Sequence, residues 1–409
     1  MKKILIISNF YLPQKHIAVT RIISFAKYFY EFGYDVTVLT KGVENEFIST
    51  DGINIYYVTN KSMISKFDTN KKEAKIIHYL KCIYNIIFTN IFFDEEAGWR
   101  KEAIKKIREI CINQSFDYIL SSAPPISSHI IASEIKQKYP SIKWIADMRD
   151  ALWSPNYPDN LRNRLLKKSK EILQNCDLLL SVSYPQLLKY RKITNDKINC
   201  LEIRNGYDYD TELIRCSRNV KDKFTILYTG NFYGPRNPKN FFKALEMLIK
   251  KKSIRNIYVE IIGNNSPISI PHSISNYIQE QDKMEYMDLI KYMCSNADLL
   301  LLISPSNIEK GVYTGKLFDY IGTGKPILGL VPKDDVAAKL IEKSKVGYLA
   351  ENENIVDIMA EIERAYNDWK NKKILIADTK TIKEHHRREQ VNRLITYINS
   401  NKNKRLEKE

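Results

Sequence analysis

Lys316 and Asp319 stand three residues apart in segment 309–332, EKGVYTGKLFDYIGTGKPILGLVP, a spacing that sets an ammonium and a carboxylate on one helix face. An ammonium is a point charge for phosphate, and a carboxylate one turn on can accept hydrogen bonds from vicinal sugar hydroxyls. A second cationic pair, Arg236 and Lys239, lies in GNFYGPRNPKN, between the apolar run 224–229 (FTILYT) and a helical pattern over 239–250. That is a strand's carboxyl end meeting a helix N-terminus, the place and sign for a diphosphate. A third cluster, Asp147, Arg149 and Asp150, follows the apolar run 142–146, and open parallel sheets bind ligands beyond the carboxyl ends of their strands. Together these types suit a nucleotide sugar. The alternatives are an ordinary strand–helix turn with solvated Lys316 and Asp319, exposed loop cations at Arg236 and Lys239, and an Asp150 helix cap paired with Arg149.

These groups need strands and helices to hold them. The run 298–303 (DLLLLI) reads as a buried strand, 304–307 as a break, Thr314–Gly315 as a helix start, Gly322–Gly324 as its end and 326–331 as the next strand. Upstream, 4–7, 35–40, 117–121, 142–146, 177–182 and 198–203 read as strands, with helices over 18–31, from 94 and over 160–174. The opening strand–helix–strand is Rossmann-like but lacks G-x-G-x-x-G, so a dinucleotide cofactor is not expected. Its first loop holds His16 and Ala18, with Arg21 just inside the helix, where a phosphate could be met; surface positions for His16 and Arg21 are the alternative. Strand 258–262, a helix from 284 to 293, helices over 335–343 and 355–369, an extended 346–349 and a last helix over 379–399 complete the second half.

The totals fit this plan. At 409 residues, two or three domains are expected, and 44% hydrophobic content can fill their cores. A formal net charge of +16 favours anionic partners, though lysine-rich charge is weak evidence alone. The six cysteines are scattered without metal-like spacing, so free thiols in a reducing cytoplasm are expected. MKKILIISNF carries too short an apolar run for a signal peptide. Residues 61–75 read as a polar loop. The apolar stretch 76–93 is uncharged only from 82 on, too short to span a bilayer; it is a buried helix or an interfacial one. The basic helix 160–174 is either a solvated face or a contact for anionic lipid. No nucleic-acid-binding motif accompanies the cations, so no nucleic-acid partner is expected.

Segment 309–332 resembles the donor site of family-4-like retaining glycosyltransferases of the GT-B fold, of the kind that build bacterial capsule and O-antigen chains. Asp319 in DYIGTGKP fills the place of the family's second acidic residue, and Lys316–Asp319 matches a branch with a lysine three residues before it. Gly311 stands where the first glutamate is usual, with Glu309 two residues earlier. The phrases D-x-R-D-x-x-W at 147–153, the proline pair at 124–125 and N-G-Y-D at 205–208 also match.

The resemblance implies an α/β GT-B fold: two Rossmann-like domains with parallel sheets facing an interdomain cleft. Residues 1–205 would form the acceptor-side domain, 206–378 the donor domain, and 379–409 a helix packing back on the first domain with a polar tail. It implies a glycosyltransferase moving a hexosyl or N-acetylhexosaminyl group, with retention, from a nucleotide-diphosphate sugar, a UDP-sugar foremost, to a saccharide or lipid-linked saccharide. No cofactor or metal is implied. Gly230, Arg236, Lys239, Glu285, Thr314, Gly315, Lys316, Leu317 and Asp319 would bind the donor, with His16, Ala18 and Arg21 near its phosphates. Asp147, Arg149 and Asp150 would be catalytic, and the setting cytoplasmic or peripheral at the membrane's inner face. A nucleotide-sugar 2-epimerase shares this layout and is the rival enzyme; it would form product without an acceptor. A basic nucleic-acid- or membrane-binding non-enzyme is the third reading.

Overall fold

The computed structural model describes residues 1–14, 17–60, 92–94, 96–152, 158–211, 222–251, 254–304, 311–373 and 375–400. His16, Trp153, Glu309, the loop expected over 61–75, all but the last two residues of 76–93, and the tail 401–409 lie outside them. The chain divides into two compact units, Met1–Arg204 with Val391–Glu409, and Asn205–Gln390.

The first unit holds strands β1 (Lys3–Ile7), β2 (Asp35–Gly42), β3 (Glu46–Thr50), β4 (Ile53–Thr59), β5 (Tyr118–Ala123), β6 (Lys143–Met148), β7 (Leu178–Ser181) and β8 (Asn199–Glu202). Their order is β3-β4-β2-β1-β5-β6-β7-β8, parallel throughout except for the β3–β4 pair. Ile4–Ile7 are 0% exposed because helices cover both faces, which is why the central strands are apolar without alternation. Helix α1 (Ile17–Glu31) packs Ile22, Ala26 and Phe29 on one face; α2 (Ala97–Asn113) and α3 (Ser127–Lys138) cover the other. Helices α4 (Asp159–Leu173) and α5 (Tyr184–Ile193) link β6 to β7 and β7 to β8.

In the second unit, β9 (Phe224–Thr229), β10 (Ile257–Ile262), β11 (Ile278–Gln281), β12 (Leu299–Ile303), β13 (Ile327–Leu330) and β14 (Gly347–Ala350) form an all-parallel sheet ordered β11-β10-β9-β12-β13-β14. The order reverses direction at β9, where the chain leaves to β10 on one side and later fills β12 on the other. Such a switch point opens a crevice at the strands' carboxyl ends. The helices are α6 (Lys239–Lys250), α7 (Tyr286–Asn296), α8 (Gly315–Thr323), α9 (Val336–Lys343), α10 (Ile355–Lys370) and α11 (Thr379–Glu384).

Helix α12 (Arg387–Asn399) begins in the second unit, and from Val391 on the chain belongs to the first. There Val391, Leu394 and Ile395 join Ile4, Phe25 and Phe29 in one core. The single helix expected over 379–399 is therefore two. At the break, Tyr207 N–H donates to His385 C=O (3.2 Å) and Arg387 N–H to Tyr207 C=O (2.9 Å), drawing the backbone out of its helical ladder. The β3–β4 hairpin, β11 and α5 were not anticipated from sequence. β3 is a poorly buried edge whose short run carries little apolar signal.

Candidate functional site

Most of the expected donor residues meet at the end of β9. Thr229 is pinned there: its N–H and hydroxyl both lie 3.1 Å from the Tyr320 hydroxyl of α8. One turn earlier on α8, Lys316 reaches back over the strand end. Its Nζ donates to Tyr228 Oη at 2.7 Å and sits 4.0 Å from that ring's centre, a cation–π contact. The lysine rests on Gly230, whose φ is +79° and where a Cβ would fall 3.1 Å from Lys316 Cε and 3.3 Å from Nζ. The left-handed backbone favours glycine there, and any side chain would press on the end of Lys316.

Arg236 closes the corner. A tight turn hydrogen-bonds Tyr233 and Arg236 backbone to backbone both ways, and the guanidinium lies against the Tyr233 ring and hydroxyl. Its Nε is buried without a hydrogen-bond partner. Burial chiefly, and the Arg236 charge second, push the Lys316 ammonium down to about 7. Neither cation forms an ion pair among the described residues. Thr314 caps α8 in extended conformation, but its hydroxyl makes no capping bond and is buried without a partner. The first N–H groups of a helix have no intrahelical acceptors. Lys316 and Arg236 thus share one corner beside the N-terminus of α8, where Thr314 keeps an unused hydroxyl.

Asp319 lies half-buried one turn further along α8. Tyr286 Oη, from the start of α7, donates to its Oδ1 at 2.7 Å, and Tyr209 Oη donates to its main-chain carbonyl at 2.6 Å. Burial raises the Asp319 carboxyl to about 6, against the lowering pull of the Tyr286 hydrogen bond and the Arg387 charge. Tyr207 and Tyr209 come so close to α8 that a Cβ at Gly322 would sit 2.4 Å from Tyr209 Oη. Gly322 is therefore a packing residue inside the helix, and Gly324 alone takes the left-handed cap, at φ +65°.

The remaining expected donor residues contribute less. Leu317 is 0% exposed in the core, with its N–H given to Thr314 C=O, so its side chain presents nothing to a ligand. Lys239 is exposed at the start of α6, and its described bond is N–H to Asn237 Oδ1. Glu285 is exposed, and its neighbour Tyr286 is the residue that touches Asp319. Gly311, in place of the usual glutamate, has φ +85°, a conformation costly for any side chain; its N–H donates to Asp335 Oδ1 at 2.8 Å. Asp335 also caps α9.

In the first unit, the expected phosphate residue and one expected catalytic residue are spent on each other. Arg21 is 4% exposed and Asp147 0%. Arg21 Nε and Nη2 grip the Asp147 carboxylate at 3.0 and 2.7 Å, Ser122 Oγ donates to it at 2.8 Å, and Arg21 also donates to the Ile203 and Arg204 carbonyls. This ion pair ties α1 and β6 to the chain's exit at 203–204 and buries both the Arg21 guanidinium and the Asp147 carboxylate. Ala18 is buried in the same helix. Arg149 and Asp150 are paired at 3.1 Å, with the Arg149 side chain buried and that of Asp150 exposed. Ser121 Oγ lies 2.8 Å from His129 Nδ1, but both residues are 0% exposed, so this pair is core and not a nucleophile. No group of His, Cys, Asp and Glu among the described residues is placed to hold a metal, and none of their helices is long and apolar enough to cross a membrane.

Tyr286, Tyr209 and Tyr228 were not singled out from sequence. Each acts through one hydroxyl on a residue 33–110 positions away, a separation without periodic signal.

No protein-family model matches the sequence, and no curated protein matches it. Solved structures do. Anabaena HepE, crystallised with UDP and glucose, is 12% identical at a TM-score of 0.61, over 98% of this chain and 100% of that one. A glycosyltransferase from Rickettsia africae is 15% identical at 0.61, over 98% and 99%. The sucrose-phosphate synthase of Thermosynechococcus elongatus is 13% identical at 0.60, over 96% and 95%. At such identities the likeness establishes the fold alone. The chain has the α/β fold of GT-B glycosyltransferases, with sheets dominated by parallel strands.

Proposed function

We propose that this chain is a glycosyltransferase that takes a sugar from a nucleotide diphosphate, foremost a UDP-sugar, and passes it to a saccharide hydroxyl. The observation that carries the reading is the corner of Lys316, Arg236 and Thr314: two cations without a counter-carboxylate and a buried hydroxyl without a partner, at one helix N-terminus. A departing diphosphate needs its growing negative charge met by donors already in place, and this corner has them fixed by packing. Asp319, held by Tyr286, would receive the ribose hydroxyls. The bound UDP and glucose of HepE, on a similar fold, support the same choice of donor.

In this reading no metal is needed, since Lys316, Arg236 and the α8 N-terminus supply the charge. The anomeric configuration is retained, by attack from the face the diphosphate leaves. Arg149 and Asp150, at the carboxyl end of β6, serve the acceptor, while Asp147 and Arg21 position that strand end. A lipid-linked acceptor in bacterial surface polysaccharide synthesis is the setting proposed, with peripheral contact to anionic membrane through the outer face of α4, where Arg164 and Lys167 are exposed.

A thermal-shift screen over nucleotides and nucleotide sugars tests the reading, because a ligand that binds only the folded state raises the melting temperature. UDP-sugars are expected to raise it in the wild type and to leave Arg236→Ala and Asp319→Ala unmoved, with both variants' ligand-free midpoints near wild type. Stabilisation retained in both variants would mean that the site is elsewhere. Product formed from UDP-sugar without any acceptor would point instead to an epimerase.

A further inference from the structure

Arg149 has a donor that the fold does not use. The residue is 7% exposed. Its Nη2 donates to the Pro124 carbonyl at 2.9 Å, its Nε to Asp150 Oδ2 at 3.1 Å, and one face of the guanidinium lies over the Phe10 ring at 5.6 Å. Nη1 is buried and has no partner. Buried polar groups are satisfied in the great majority of cases, so one left open on a cation calls for a ligand. The charge is also poorly compensated. The carboxylate within the same strand end, Asp147, is saturated by Arg21 and Ser122. Among the described residues Asp150 alone pairs with Arg149, and its side chain is 63% exposed, where water screens the attraction. The place is the carboxyl end of β6, beside that of β5, where ligands of parallel sheets bind.

We infer that Arg149 seats an oxyanion carried by the acceptor, a phosphate or a carboxylate, with Nη1 as the reserved donor. This rests on the transferase reading for the word acceptor, and on the geometry of the first unit alone for the anion. Asp150 competes with the oxyanion for the same guanidinium. An anionic ligand must therefore displace the Nε–Asp150 bond or bind beside it against like-charge repulsion.

Calorimetric titration of the full chain tests this, in a Lys316→Met background so that the second cationic corner does not report. The probes are glucose 1-phosphate, glucuronate and neutral glucose. Both anions are expected to bind and glucose not. Arg149→Gln should weaken the anions by about 10- to 100-fold, the worth of a charge-assisted hydrogen bond. Asp150→Asn should tighten both, which loss of a merely structural ion pair would not do. Tighter glucose 1-phosphate assigns a phosphoryl-bearing acceptor; tighter glucuronate assigns a uronic acid. Equal binding of glucose and the anions, or unchanged anion affinity in a folded Arg149→Gln protein, overturns the inference. Should Arg149→Gln not fold, anion affinity unchanged in Asp150→Asn overturns it instead. UDP-glucose titrated separately into the protein with Lys316 intact reports the donor site, so failure there leaves the anion result standing.

Discussion

The acid and base of the donor corner are tuned toward each other, and donor affinity should therefore follow a narrow bell in pH. On the proposed reading, Asp319 accepts ribose hydroxyls best when ionised, above about 6, and Lys316 attracts phosphate when protonated, below about 7. The competent fraction is the product of the two, and apparent affinity scales with it. That product is about 0.6 at pH 6.5, about 0.1 at pH 5 and about 0.01 at pH 9, so affinity should fall about sixfold to the acid side and about 60-fold to the alkaline side. The sign on the alkaline side follows from linkage: bound diphosphate raises the lysine's affinity for its proton, so binding takes up a proton wherever the free lysine is neutral. At pH 8 that uptake should be about 0.9 proton per donor. UDP-glucose is the ligand to use, because its pyrophosphate is a diester without the second ionisation near 6 that UDP carries. Calorimetry at each pH in two buffers of different ionisation enthalpy gives both affinity and proton count. Lys316→Arg keeps its charge, so its alkaline limb should vanish and it should bind tighter than wild type at pH 9. Affinity that stays flat from pH 5 to 9, or an arginine variant that keeps the alkaline limb, would refute the reasoning.

Three further outcomes follow from single contacts. Tyr286→Phe removes a hydrogen bond that holds the Asp319 carboxyl down, so the acid limb of the same titration should move up by about one pH unit; an unmoved limb would mean the bond is not made. Asp147→Ala leaves Arg21 buried and uncompensated and should cost about 3–5 kcal/mol in urea denaturation, whereas Arg21→Met with Asp147→Leu should recover most of it; a single variant as stable as wild type would contradict the buried pair. Gly230→Ala should lose about 1–2 kcal/mol to its left-handed backbone and also lose UDP-glucose affinity, because the new methyl displaces Lys316. Gly234→Ala, at φ +53° with nothing within 4 Å, should pay the same strain and keep its affinity.

What could be read ahead was local. Strands buried on both faces announce themselves as unbroken apolar runs, so β1, β9 and β12 were placed within a residue or so, as was the α8 segment bracketed by Thr314 and Gly324. The placing of Arg236 just past a strand's end, and of Lys316 and Asp319 on one helix, could be read from the elements around them. What could not be read was which partner each charge takes. Arg21 meets Asp147 across 126 residues, and nothing in either neighbourhood tells that pairing from two solvent-facing ligands. Gly311 read as a missing glutamate; only its left-handed φ and its bond to Asp335 give a backbone reason for glycine. The break at His385–His386 was hidden because its cause, the Tyr207 backbone, lies 178 residues earlier.

The most direct test of the central claim, that the β9–α8 corner grips a diphosphate, is a crystal structure of the full chain with a UDP-sugar. The account predicts diphosphate oxygens about 2.7–3.2 Å from Lys316 Nζ and Thr314 Oγ1 and beside Arg236, with ribose hydroxyls on Asp319. A nucleotide bound elsewhere, with Lys316 still resting on Tyr228 and Thr314 still unpartnered, would contradict it.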